Sequence, residues 1–163
     1  LYLDGSINFM NNNLFFKKYL NEQDRLIIFQ HPTRQCIYSE AEQCIKFKKE
    51  KKTKIMKLVK LLKKYEYPSN NGLVATGIIY RNHNDLKTQN FMNLWSYFVL
   101  KYSHRDQLSF NFIAWVLKFN FTLISLNIFK NEFCNVKLHS NAKFLYKIRE
   151  FINSLTNLFL KKI

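Results

Sequence analysis

Apolar positions along this chain follow two rhythms. Short unbroken apolar runs read as strands, and apolar residues three or four apart read as helices. The strand-like runs are "LYLD" at residues 1–4, "RLIIFQ" at 25–30 before Pro32, "LVATGIIYR" at 73–81 with Gly77 at its centre, and "FTLISLN" at 121–127. A first helix is read in "MNNNLFFKKYL", with Leu14, Phe15 and Tyr19 as its apolar members. Ser39 and Glu42 form a capping-box pair, opening a helical region that runs to Tyr65 with a break near Thr53. Within it Ile55, Val59 and Leu62 share a face, with Leu58, Leu61 and Tyr65 close by. "YPSNNG" is turn chemistry. Phe91, Leu94, Trp95, Phe98, Val99 and Tyr102 mark an amphipathic helix. Ser103 is placed to cap the next helix, with Asp106 as its first-turn acid. A last helix is expected over 141–163, with Phe144, Ile148, Phe151, Ile152, Leu155 and Phe159 along one side. Strands spaced by helices give a mixed α/β fold with a partly parallel sheet.

Composition narrows the partners. The 163 residues suffice for one domain with a real core, and 47% hydrophobic content excludes a disordered chain. The net charge of +15 points to nucleic acid, anionic lipid or a phosphate-bearing substrate. Lys, Asn, Phe and Ile share AT-rich codons, so genome composition competes evenly with a selected basic surface. Ten of the 26 basic residues lie between Lys46 and Lys64. Cys36, Cys44 and Cys134 form no CxxC pair, which argues for reduced, packed thiols rather than a disulfide framework or zinc site. No apolar run is long enough to span a bilayer. The expected location is cytoplasmic, with peripheral contact to an anionic membrane.

Four places could carry chemistry. Asp4 ends the first strand, where a carboxylate can hold a divalent cation; a plain Asp-Gly turn with Gly5 is the competing role. In "HPTRQCIYSEAE", Arg34 could grip a phosphate or carboxylate beside His31, or simply pair with Glu40. In "HRDQLSF", Asp106 and Gln107 could bind sugar hydroxyls, with Asp106 as a general base; helix capping by Asp106 and a solvated Arg105 are the alternative. His139 could complete a metal site. No Gly-rich phosphate loop, HExxH or RNA-recognition signature occurs.

Taken in order, "HPTRQCIYSEAEQCIK", "YPSNNGLVATGIIYRNHN" and "NLWSYFVLKYSHRDQLSF" resemble a glycosyltransferase-like family long catalogued as a domain of unknown function. It has plant members linked to mucilage and wall polysaccharide and bacterial members among polysaccharide and sugar-transfer genes. The resemblance covers residues 1 to 118, and the paired "HPxRxCIYxEA" and "RDQLSF" segments carry it. It implies a GT-A type fold, a nucleotide-binding α/β sandwich. Asp4 would take the first acidic place of an Asp-x-Asp-like motif that holds a divalent metal (Mn or Mg) and the donor diphosphate. Ser6 stands where the second acid belongs, a departure from that pattern. His31 and Arg34 would contact donor phosphates or an anionic acceptor, and Gly77 would leave room for the donor sugar. Asp106 would bind a hydroxyl and act as base, with Arg105 and Gln107 beside it. Residues 1–140 would then form the C-terminal part of such a domain, lacking its nucleotide-binding N-terminal half, with 141–163 as a helix packed on it.

The implied partners are a nucleotide-sugar donor and a glycan, polysaccharide or lipid-linked acceptor; nucleic acid is not favoured. The alternative is a non-catalytic basic module that binds nucleic acid or anionic membrane. A transferase requires Asp4, Arg34 and Asp106 to converge in one cleft. Turn and capping roles require no such meeting.

Overall fold

The computed structural model describes residues 1–10, 12–21, 25–129 and 131–136. In chain order these form β1 (Tyr2–Leu3), β2 (Ile7–Phe9), α1 (Asn12–Tyr19), β3 (Leu26–Gln30), α2 (Ile37–Lys46), α3 (Lys52–Lys64), β4 (Val74–Arg81), α4 (Leu86–Lys101), α5 (Gln107–Val116), β5 (Thr122–Ile124) and β6 (Cys134–Val136). Four strands make one sheet in the order β1-β4-β3-β5, and β2 pairs with β6 in a second sheet. β4 is antiparallel to β1 and β3, while β3 and β5 are parallel. The fold is therefore α/β with a mixed sheet flanked by helices. β1, β3 and β5 run in one direction, so their carboxyl ends share one edge. The helix expected over 141–163, and His139, lie outside the described residues.

β3 is apolar from Leu26 to Phe29 because both its faces are covered there. Leu26 and Ile28 face a core built with α2, α3, α4 and α5. Ile27 and Phe29 face a second core that holds Phe15 of α1, Ile128 and Phe133. Phe15 stacks on Phe29 at 6.1 Å and meets Phe133 edge-on at 5.4 Å.

The pairing of β3 with β4 jumps between Ile28↔Ile79 and Phe29↔Ala75. Thr76, Gly77 and Ile78 thus bulge out of that ladder. The bulge also resets the face: Val74 and Ile79 join the first core, and Ala75 and Ile78 the second. On its other side the bulge pairs with β1, where Leu3 opposes Ile78 and Asp4 N–H donates to Gly77 O at 2.8 Å.

Several local expectations are corrected. β1, an apolar run in the sequence, ends the described strand order and exposes 46% of Tyr2. α2 begins at Ile37, and Ser39 lies within it, donating its hydroxyl to Cys36 O at 2.9 Å instead of capping. The helix break falls at 47–51, before Thr53, where Lys48 adopts φ +52°. Lys48 N–H reaches Ile45 O and Lys49 N–H reaches Cys44 O, which closes α2 with a Schellman motif. α5 begins at Gln107, after Asp106 and not from Ser103, and β5 keeps only three of the residues in "FTLISLN". The pairing of β2 with β6 had no signal in the periodicity, since each strand has three residues. All three cysteines are free and buried, as their spacing implied.

Candidate active site

A cavity of about 190 Å³ opens where the carboxyl ends of β1 and β3 meet the start of α5. Asp4, His31, Thr76, Gly77, Arg105, Asp106 and Gln107 all contribute to its wall. Ligands of open α/β sheets bind outside the carboxyl ends of strands, so the fold itself favours this place. A second cleft of about 390 Å³ shares His31 and Pro32 with the first. It takes in Arg34 and residues 125–127, just beyond β5.

Asp4 forms the turn weighed for it and also borders the cavity. Its carbonyl accepts from Ile7 N–H at 2.9 Å, closing the Asp-Gly turn. Its Oδ1 accepts from Ser6 N–H at 2.9 Å and from Ser6 Oγ at 2.8 Å, and the residue also lines the cavity. Ser6 therefore serves as a donor that fixes the Asp4 carboxylate. Tyr2 stands near both acids. Burial raises its phenol pKa first, and the negative charges of Asp4 and Asp106 raise it further.

Asp106 is the N-cap of α5, and its Oδ1 accepts from Gln107 N–H at 2.8 Å. The same oxygen accepts from Thr76 Oγ1 at 2.8 Å. The β4 bulge is what aims Thr76 at α5. Arg105 borders the cavity too. Its Nε is buried and has no hydrogen-bond partner among the described residues. Burial and Glu40 raise the Cys44 thiol pKa, and the nearby Arg105 side chain lowers it. Ser103 Oγ accepts from Arg105 N–H at 3.1 Å, so it holds the loop rather than the helix end.

Glu40, weighed from the sequence as the partner of Arg34, is a hub of the site. It is fully buried in the first turn of α2. Arg34 Nε and Gln107 Nε2 both donate to it, and Cys44 Sγ donates at 3.4 Å. The pairing of Arg34 with Glu40 is the ion pair weighed from the sequence. The pair holds Arg34 in the second cleft, which corrects the expected meeting of three residues: Asp4 and Asp106 line one cavity and Arg34 lines its neighbour. His31 bridges the two. Its Nδ1 accepts from Thr33 N–H at 3.3 Å and Arg34 N–H at 3.1 Å, so the neutral ring carries its proton on Nε2. Nε2 lies 3.8 Å from Glu40 Oε2. Burial lowers the His31 pKa; Glu40 opposes that, and Arg34 and Lys49 add to it.

Gly77 lines the cavity, yet the direction of its absent side chain is filled. An added Cβ would lie 2.7 Å from Ile7 Cδ1 and 3.3 Å from Ile128 Cδ1. The space serves close packing of β2 beneath the site as well as the cavity wall.

The described residues do not compose a metal centre by themselves. Among them no three His, Cys, Asp or Glu side chains group to hold a cation, and His139 lies outside them. Thr76, one of the site's partners, lacked a clear sequence signal, since it sits mid-strand. Glu40 was legible as a first-turn acid and as the partner of Arg34, not as a hub.

An α/β domain with polar and charged groups gathered at its strand ends fits the class of sugar-transfer folds. The family model for the TOD1/MUCI70, glycosyltransferase-like domain matches residues 1–141. The chain belongs to that family. The match bears out the resemblance carried by the "HPTRQCIYSEAE" and "HRDQLSF" segments and extends it past residue 118. No curated protein and no solved structure matches the chain.

Proposed function

We propose that this chain is a glycosyltransferase of GT-A type, moving a sugar from a nucleotide-diphosphate donor to a glycan, polysaccharide or lipid-linked acceptor. The observation that carries the reading is the gathering of Asp4, His31, Arg105, Asp106 and Gln107 around one cavity at the carboxyl ends of β1 and β3. Turn and capping roles alone would not demand it.

The reaction breaks the bond from the anomeric carbon to the diphosphate and forms one to an acceptor oxygen. Negative charge grows on the leaving diphosphate, and the acceptor hydroxyl gives up a proton. Arg105, which borders the cavity, would bring positive charge to the leaving diphosphate. Asp106 is the hydroxyl-binding residue and base. Both its bonds fall on Oδ1, so Oδ2 is the oxygen that meets the acceptor. Gln107, anchored on Glu40, offers its amide to sugar hydroxyls. Asp4, held by Ser6, faces the donor.

The test is release of nucleoside diphosphate from a panel of nucleotide sugars, with and without manganese. Release that depends on Asp106 supports the reading. A folded protein that consumes no donor under either condition contradicts it.

A further inference from the structure

Ten of the 26 basic residues of the chain lie between Lys46 and Lys64, at the end of α2, in the turn after it and on α3. All ten lysines between Lys46 and Lys64 except Lys54 are exposed. The reason lies in α3. Ile55, Leu58 and Leu62 are its buried residues, which turns Met56, Lys57, Lys60 and Lys64 outward. The α2–α3 turn extends the same charge through Lys46, Lys48, Lys49, Lys51 and Lys52. The one acid within this stretch, Glu50, is engaged elsewhere. It accepts from Lys51 N–H at 2.9 Å and His104 N–H at 3.1 Å.

Two apolar side chains stand out among these lysines. Phe47 is 62% exposed at the end of α2, and Met56 is 44% exposed on the outer side of α3. Genome composition accounts for lysines. It can supply a phenylalanine as well, but it does not account for the exposed place of Phe47 among the lysines of "KFKKEKK". A soluble polyanion would reward the lysines alone. A bilayer rewards both: anionic headgroups meet the ammonium groups, and the acyl boundary takes the ring while lysine stems lie along it. The segment holds no arginine to read base edges. It also lacks the succession of exposed rings that stacks single strands.

We propose that the α2–α3 turn and the outer face of α3 dock the domain on an anionic lipid bilayer, with Phe47 and Met56 entering the headgroup region. The inference stands apart from the transfer chemistry, because the surface docks whatever the cavity binds. The turn is nonetheless joined to the site. His104 meets Glu50 through its N–H and Lys54 Nζ through its ring at 3.4 Å. The next residues, Arg105 and Asp106, line the cavity. A docked α2–α3 turn therefore sets that loop close to the membrane surface.

The experiment is co-sedimentation with phosphatidylcholine vesicles with and without phosphatidylserine, alongside binding to a short single-stranded oligonucleotide. Wild type, a K48E/K49E/K51E/K52E variant and Phe47→Ala are compared, each checked for folding by thermal melting. The expected result is binding that requires phosphatidylserine and falls at least about tenfold on charge reversal. Phe47→Ala is expected to weaken vesicle binding several-fold and leave oligonucleotide binding unchanged. Vesicle binding that ignores phosphatidylserine or the charge reversal overturns the proposal. So does a Phe47→Ala effect that is absent on vesicles or equal on both ligands, which would mark a general polyanion or nucleic-acid surface.

Discussion

Thr76 Oγ1 donates to Asp106 Oδ1 at 2.8 Å, tying the bulge of β4 to the first turn of α5. The bond fixes which carboxylate oxygen is left for a ligand. Thr76→Val keeps the shape and removes the donor. It should cost about 1 kcal/mol of stability and lower turnover more than it raises KM, with Thr76→Ser restoring both. Asp106→Asn should lower turnover by about 10² to 10⁴, with its N-cap role retained. Steady-state kinetics on the active donor, beside urea unfolding, check both.

Glu40 is a buried charge whose partners come from two elements. Glu40→Gln keeps the size and removes the charge, leaving Arg34 without its counter-ion. The expected loss is about 3 kcal/mol, the lower end for breaking a buried pair, because the Arg34 side chain keeps 30% of its exposure. Urea unfolding measures it. The site should loosen too, since Gln107 loses its charged acceptor.

His31 makes folding stability depend on pH. Its folded pKa lies below the ordinary 6.5, chiefly through burial. The unfolded chain therefore binds the proton more readily. The stabilising contribution is full above pH 6.5 and is lost as pH falls through the lowered folded value. Unfolding midpoints of wild type and His31→Gln should converge as the pH drops through that window. NMR titration of the ring should show the lowered pKa directly. A ring that titrates at or above 6.5 contradicts the account.

Much of the scaffold was legible in the sequence because burial was legible. The helical stripe led by Phe91 and Trp95 and the apolar run of β3 each pack as their periodicity implied. Helix ends were harder, and the reason is physical. α2, α3 and α5 each close with a residue in the left-handed region, and these are Lys48, Glu66 and Lys118. Glycine usually marks such a position, but this chain has only three glycines. Of the site, Asp4, Asp106 and Gln107 were legible because strand ends and helix starts are. Thr76 was not, because nothing local announces a bulge that is set by pairing with two other strands. The pairing of Glu40 with Arg34 was legible, but its full burial was not, because that depends on Gln107 of α5 closing over it.

The same helix ends give a stability prediction. Lys118 holds φ +48°, which costs a side-chain-bearing residue about 1 kcal/mol. Lys118→Gly should stabilise the domain by up to about 1 kcal/mol, because glycine takes that conformation without steric cost. A rise in the urea midpoint at unchanged slope confirms it; a fall shows that the Lys118 side chain makes a contact worth more than the strain.

The central claim is that Asp4 and Arg105 face the nucleotide-sugar donor, in the cavity where Asp106 meets the acceptor. Calorimetry with nucleoside diphosphates and nucleotide sugars, with and without manganese, tests it most directly. The account predicts binding of both ligand types, weakened by Arg105→Ala and Asp4→Asn and little changed by Lys60→Ala on the outer face of α3. Binding that ignores Arg105 and Asp4, or no binding by a well-folded protein, would contradict it.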